Sequence, residues 1–338
     1  MKEFKILIIL AVFTGALYLG VETYAHKVFY PAVAPADFSF QDLHADADTP
    51  AAVSSQRQEV LALISSADAQ AGGDSVQMHC IACHTVKSAG LEMMTDEQLI
   101  AANGLLPPDL SNISSLYDEV FLMEFIKDPS GASFIASHTQ HQREKLAAAK
   151  AKAPEKSTEL IDNHVRAVDG FNNRVHGFFN KMPGYSWMED QEIANMLAYF
   201  RTVAKPLSEI SGRDTTINAC ARCHSIDYDN VSLKASMDAL EGYLGVRPPD
   251  LSTMILSHGE SYLNTFINDP QKHHLGTAMP RVGLNEPAQE KVVAYLQNVG
   301  DPNIEQRNRL GLWFIGYFIL LTVLAYLWKK SEFKEIGK

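Results

Sequence analysis

Three kinds of hydrophobic pattern run along the chain, and each predicts a different element. Residues 310–328 form a 19-residue run without a formal charge, preceded by Arg307 and Arg309 and followed by Lys329, Lys330, Lys334 and Lys338. That length and those flanks predict one membrane-spanning helix, with Trp313 and Trp328 as interface anchors. Residues 6–21 form a shorter apolar run behind Lys2 and Lys5, the layout of an export signal, cleaved or retained as an anchor. Elsewhere apolar positions recur at helical spacing: Ile193, Met196, Leu197 and Phe200 within 190–203, and Val292, Val293 and Leu296 within 289–299. Strand signals are weak throughout, so the expected fold class is all-α.

Between these helices the chain repeats itself. Cys80-Ile81-Ala82-Cys83-His84 is followed in order by Leu106-Pro107-Pro108-Asp109-Leu110-Ser111, Phe125-Ile126-Lys127-Asp128-Pro129, Met182-Pro183 and Ala198-Tyr199-Phe200. Cys220-Ala221-Arg222-Cys223-His224 is followed by Arg247-Pro248-Pro249-Asp250-Leu251-Ser252, Phe266-Ile267-Asn268-Asp269-Pro270, Met279-Pro280 and Ala294-Tyr295-Leu296. These are two copies of one unit. Pro129 and Met182 are 53 positions apart where Pro270 and Met279 are 9 apart, so the first copy carries a 44-residue insertion, roughly 131–175. Its Ala/Lys-rich composition, divided by Pro154, predicts two helical pieces that form a solvated arm or a docking surface for another subunit.

The two Cys-x-x-Cys-His boxes use all 4 cysteines of the chain. This spacing is the attachment signature of haem c: two sulfurs add to the porphyrin vinyl groups, and the next residue places an imidazole under the iron. A zinc site would want four ligands closing a tetrahedron, and a thioredoxin-like pair would want a βαβ setting and no obligatory histidine. Two covalent haem c groups are therefore expected, one on Cys80 and Cys83 with His84 as iron ligand, the other on Cys220 and Cys223 with His224. Met182 and Met279, each before a proline at matching places, are the expected sixth ligands; a thioether there closes the shell and raises the potential. His176, His273 and His274 are the competing ligands. Each proximal imidazole needs a partner for its other N–H, and the rigid proline turns offer the carbonyls of Pro108 and Pro249, with Leu110 and Leu251 packing on the porphyrin.

Charge and topology fit an exported protein. The heavier lysine cluster after residue 328 puts that end in the cytoplasm and the boxes on the other side of a bacterial inner membrane, in the periplasm. Setting aside the terminal segments leaves 23 basic against 37 acidic residues, a net charge of −14. Such a field attracts basic partners, makes association salt-dependent and argues against nucleic acid.

Each copy resembles a class I cytochrome c domain, in which a Pro-Pro-x-Leu type element follows the haem box and a methionine precedes the last helix. The second copy and its C-terminal anchor, through Pro248-Pro249-Asp250-Leu251-Ser252, Met279-Pro280 and the tail after Tyr326, resemble cytochrome c1, the haem subunit of the quinol:cytochrome c oxidoreductase (bc) complex, here in a dihaem variety. The resemblance implies tandem haem domains and an electron relay within a dimeric complex. Its partners would be cytochrome b and a Rieske iron–sulfur protein, with a cytochrome c or a terminal oxidase as acceptor, and no substrate chemistry of its own. The alternatives are a dihaem subunit of a haem–copper oxidase, whose anchor usually precedes the haem domains, and a dihaem peroxidase, which needs an open iron. The expected organisation is an export signal or signal anchor (1–25), a linker (26–66), a first haem domain (67–205), a second (206–306), a membrane anchor (307–330) and a cytoplasmic tail (331–338).

Overall fold

The computed structural model describes residues 2–22, 24–25, 50–134, 151, 182–274 and 277–336. The insertion beyond residue 134 and His176 lie outside the described residues, apart from position 151. The chain divides into two compact units, residues 1–37 and 38–338. In the first, α1 (Lys2–Ala16) runs into a wider π-helical turn over Leu17–Glu22. Among the described residues the second unit is helical, with isolated bridges and no strand.

In the first repeat, α2 (Pro50–Ser65) precedes α3 (Ala69–His79), which leads into the first box; α4 (Asp96–Asn103), α5 (Ile113–Leu116), α6 (Glu119–Lys127) and α7 (Pro129–Phe134) follow, and α8 (Asp190–Val203) closes the repeat. The second repeat has α9 (Gly212–Cys220), α10 (Met237–Leu244), α11 (Met254–His258), α12 (Glu260–Phe266), α13 (Pro270–His273) and α14 (Glu286–Gly300). A last helix, α15 (Ile304–Ile336), is long and apolar enough over Ile304–Phe333 to cross a membrane. It extends the predicted 307–330 span at both ends because the charged flanks are themselves good helix formers.

The first and last helices of each repeat cross, and small residues set the crossing. Asp68 caps α3 by accepting from the N–H groups of Gln70 and Ala71, and its own N–H donates to Asn195 Oδ1 at 2.9 Å. Gly72 faces the α8 backbone so closely that a Cβ there would lie 1.9 Å from the Asn195 carbonyl oxygen. In the second repeat Ser211 caps α9, and a Cβ on Gly212 would lie 3.0 Å from the Lys291 carbonyl oxygen of α14. The periodic residues named from the sequence, Ile193, Met196, Leu197, Phe200, Val292, Val293 and Leu296, are all buried in the core these crossings enclose.

The stretch 26–66, expected as a linker, contains α2. Val60 and Ile64 of α2 are buried in the core of the first repeat, and Arg57 pairs with buried Asp118 at 2.5 Å. One α2 turn separates the two apolar residues, enough to dock a helix but too short a pattern to stand out among polar neighbours.

A methyl group at Gly72 has backbone, not a pliable side chain, in its way. Alanine gains about 1 kcal/mol of helix propensity, but overpacking costs typically about 1–3 kcal/mol and more where the obstacle is main chain. Gly72→Ala is therefore expected to lower stability by roughly 1–2 kcal/mol net, read as a lower urea midpoint at unchanged m-value.

Candidate functional site

Both boxes are tight turns that continue a helix end. After α3 the Cys80 N–H donates to the Val76 carbonyl at 2.9 Å, then Cys83 and His84 N–H both donate to the Cys80 carbonyl at 3.1 and 2.9 Å. The second box repeats this, with Cys223 and His224 donating to the Cys220 carbonyl at 3.0 and 2.9 Å. All 4 thiols are free of disulfides. Each turn thus gathers two thiols and one imidazole within five consecutive residues.

The imidazoles are anchored through the proline turns. His84 Nδ1 lies 2.9 Å from the Pro108 carbonyl oxygen, and His224 Nδ1 lies 2.7 Å from that of Pro249. A carbonyl can only accept, so Nδ1 carries the proton in both rings and Nε2 keeps its lone pair. The turns are braced by the same set of backbone bonds, with side-chain ties that differ between the copies. Leu110 N–H donates to the Thr85 carbonyl at 2.8 Å and Leu251 N–H to that of Ser225 at 3.0 Å. Asp109 Oδ1 accepts from the N–H groups of Lys87 and Ser111; Asp250 accepts from those of Asp227 and Ser252 and from the Ser225 hydroxyl. Ser111 and Ser252 hydroxyls accept from the N–H groups of Ser88 and Tyr228 at 3.0 and 3.1 Å. Leu110 is buried and Leu251 packs against the same core.

Burial sets the electrostatics. It pushes the Cys80 thiol up to about 11, with Cys83 adding to the effect, and the Cys220 thiol up to about 12. It also holds His84 and His224 below the ordinary imidazole range, although the proline carbonyls pull the other way. The site therefore holds neutral thiols and neutral imidazoles in an apolar wall, which disfavours the charged form of each.

Sequence reasoning missed a contribution from across the repeats. Arg222, inside the second box, acts on the first repeat through its charge, which opposes protonation of His84 and favours ionisation of the buried Tyr117 hydroxyl against the larger effect of burial. Its buried Nε has no hydrogen-bond partner among the described residues. The only sequence signal was a long cationic side chain within the box.

The methionine segments are tied to the same framework at equivalent atoms. Three positions after Met182, Tyr185 N–H donates to the Ile126 carbonyl at 3.0 Å; three after Met279, Val282 N–H donates to that of Ile267 at 3.2 Å. The Tyr185 hydroxyl also donates to the His79 carbonyl at 2.8 Å, bringing the Met182 turn to the first box. His273 Nε2 meets the Thr265 hydroxyl at 2.8 Å, and the rings of His273 and His274 pack against Tyr262 and Phe266. Among the described residues no group of three His, Cys, Asp or Glu side chains is arranged to hold a bare metal ion.

No family model and no curated protein matches the chain. One solved chain, from a structure described as a hyperthermophilic respiratory Complex III, is similar at 26% identity, covering 39% of this chain and 77% of its own, with a TM-score of 0.30.

The brace of the second turn carries an acid dependence. Burial pushes the Asp250 carboxyl up, but the hydrogen bonds from Ser252, the Asp227 N–H and Ser225 outweigh it and hold the group below its ordinary 3.8. A carboxyl depressed on folding contributes stability that is full above the unfolded value and is lost as the pH falls through the folded one. Asp250→Asn should therefore flatten the fall in unfolding free energy below about pH 3.8 relative to the parent, measured by urea titration at a series of pH values.

Proposed function

We propose that this chain is a membrane-anchored dihaem c-type cytochrome, built from two tandem class I cytochrome c-like domains, that relays electrons within a quinol:cytochrome c oxidoreductase. The observation that carries this reading is the duplicated turn in which a Cys-x-x-Cys pair precedes a histidine whose Nδ1–H is fixed on a proline carbonyl, at 2.9 and 2.7 Å.

The residues fit the group. Thioethers are neutral, so a wall that raises the Cys80 and Cys220 thiols accepts them without burying charge. An imidazole held neutral with Nε2 free is the donor that iron requires, and the carbonyl on Nδ1 fixes its ring plane and basicity. The partnerless buried Nε of Arg222 suits an anionic carboxylate such as a haem propionate. Haem c supplies one-electron chemistry when bound.

The rest of the chain supports a relay. Cys80, Cys83 and His84 would hold one group and Cys220, Cys223 and His224 the other, with Met182 and Met279 as the further ligands. Ligation from both sides would leave little to rearrange when the electron count changes. Helix α15 fastens the domains to a membrane, and the acidic exported part favours a basic partner such as a soluble cytochrome c; a Rieske protein would be the donor and cytochrome b the membrane neighbour.

Cys220→Ala/Cys223→Ala should leave one covalent haem per chain on a denaturing gel stained for haem; retention of two would refute the count. Met279→Ala should remove the far-red iron–sulfur absorption of one haem and lower that haem's potential, because the thioether is the ligand that raises it. An unchanged oxidised spectrum would exclude Met279 as a ligand.

A further inference from the structure

The two methionine loops differ in what holds them. Both share the backbone bond to Ile126 or Ile267. In the first repeat the Tyr185 hydroxyl adds a tie to the His79 carbonyl of that repeat's own box helix. In the second, the equivalent position is Val282, which has no hydroxyl to offer.

The second repeat holds its loop through the Asn268 side chain, which donates to the Leu284 carbonyl at 2.9 Å and accepts from the Leu284 N–H at 3.0 Å, and further contacts come from the other repeat. Arg281 N–H donates to the Ser133 carbonyl at 2.8 Å, Asp118 N–H donates to the Gly283 carbonyl at 2.9 Å, and Asn285 N–H donates to the Leu116 carbonyl at 3.0 Å. Tyr117 and Leu284 form an antiparallel bridge between these bonds. The Asn285 side chain adds a bond from Nδ2 to the Ser115 carbonyl at 2.9 Å while its Oδ1 caps α14 by accepting from Ala288 N–H. Gly283 has φ +77° and packs so close to Phe121 that a Cβ there would lie 2.1 Å from the ring.

The holding side is itself fixed. Asp118 is buried, accepts through Oδ1 from the Val120 and Phe121 N–H groups, and accepts through Oδ2 from Arg57. Tyr117 is buried, its hydroxyl feels the charge of Arg222 in the second box, and its backbone pairs with the loop after Met279.

We propose that the first repeat is the distal clamp of the second haem: segment 115–118 and Ser133 position the loop 279–285, so Met279 reaches its iron only while the two repeats are docked. This rests on the reading of His224 and Met279 as an axial pair. Gly283 and Asn285 are positioning residues, acting through the loop and not on the iron. One consequence is that the second haem's potential depends on the first repeat, whereas the first haem's distal loop has its own anchor in Tyr185.

The test uses the full-length protein carrying Met182→Ala, in which the far-red iron–sulfur band reports the second haem alone. Gly283→Ala in this background should abolish that band and lower the second haem's potential while both haems stay covalently attached. Asn285→Ser keeps the helix cap and removes only the Nδ2 bond; it should make the band melt at a lower temperature than in its parent. If Gly283→Ala costs a haem by misfolding, the melting of Asn285→Ser decides. A band present in the parent and unmoved by the variants overturns the clamp while leaving Met279 as ligand. No band in the Met182→Ala parent means that Met279 is not the ligand, and the clamp falls with it.

Discussion

Everything in the candidate site depends on one repeated hydrogen bond, from Nδ1–H of a box histidine to a proline carbonyl. It fixes the tautomer, and so decides which nitrogen keeps its lone pair. It also joins two segments more than twenty residues apart, so the box turn cannot shift without the proline turn. Proline suits the acceptor role because its φ is set by the ring and it has no N–H to compete. The aspartate that follows each proline pair ties the loop back to the residues after the histidine, through Lys87 in one copy and Ser225 and Asp227 in the other. A bond of about 1 kcal/mol net would not order a ring alone; it does so here because its donor and acceptor each sit on a braced turn.

What was legible in the sequence was what local chemistry dictates. Two thiols and an imidazole gathered on one turn are visible as spacing without a fold, and the prolines are visible because their rigidity is intrinsic. The closing helix of the first repeat spans Asp190–Val203, the range its apolar spacing predicts, while that of the second begins earlier, at Glu286, because Asn285 caps it ahead of the first apolar pair. What was hidden depends on partners distant in sequence. Gly72 looks like a poor helix residue until the Asn195 carbonyl is placed against it. Arg57, Asp118, Tyr117 and Gly283 carry no local pattern, since each acquires its role from another element. Helix α2 was read as linker because its apolar pair is brief and its partners lie in α6 and α8.

Duplication explains the shared bonds, and divergence explains the asymmetry between the copies. Equivalent positions keep the backbone bonds that shape a site, such as those to Ile126 and Ile267, because backbone geometry survives side-chain change. Side-chain ties do not survive, and the exchange of a tyrosine at 185 for a valine at 282 is the clearest case. Without that hydroxyl the second methionine loop keeps its tie to Ile267 and those to the Asn268 side chain, and three backbone bonds to the neighbouring repeat add to them. An interface that closes a ligand loop is constrained more tightly than one that merely joins two domains. A glycine at positive φ under an aromatic ring is the sort of residue such a constraint leaves behind.

This arrangement also bears on why the two copies pack as they do. In the proposed relay, a change of coordination between oxidation states would slow transfer, so each iron's ligands would have to be held by groups that do not move when its charge changes. Backbone bonds buried in an interface meet that requirement better than a solvated loop, because opening them would leave buried donors and acceptors unpaired, at about 1–3 kcal/mol each. Arg222 also belongs to this junction. Carried by the box of one repeat, its charge acts on the buried Tyr117 and on His84 of the other, and its buried Nε has no hydrogen-bond partner among the described residues. In the proposed clamp, the bonds that would position the second methionine are also bonds that dock the repeats, so docking and closure of the second site would be a single event.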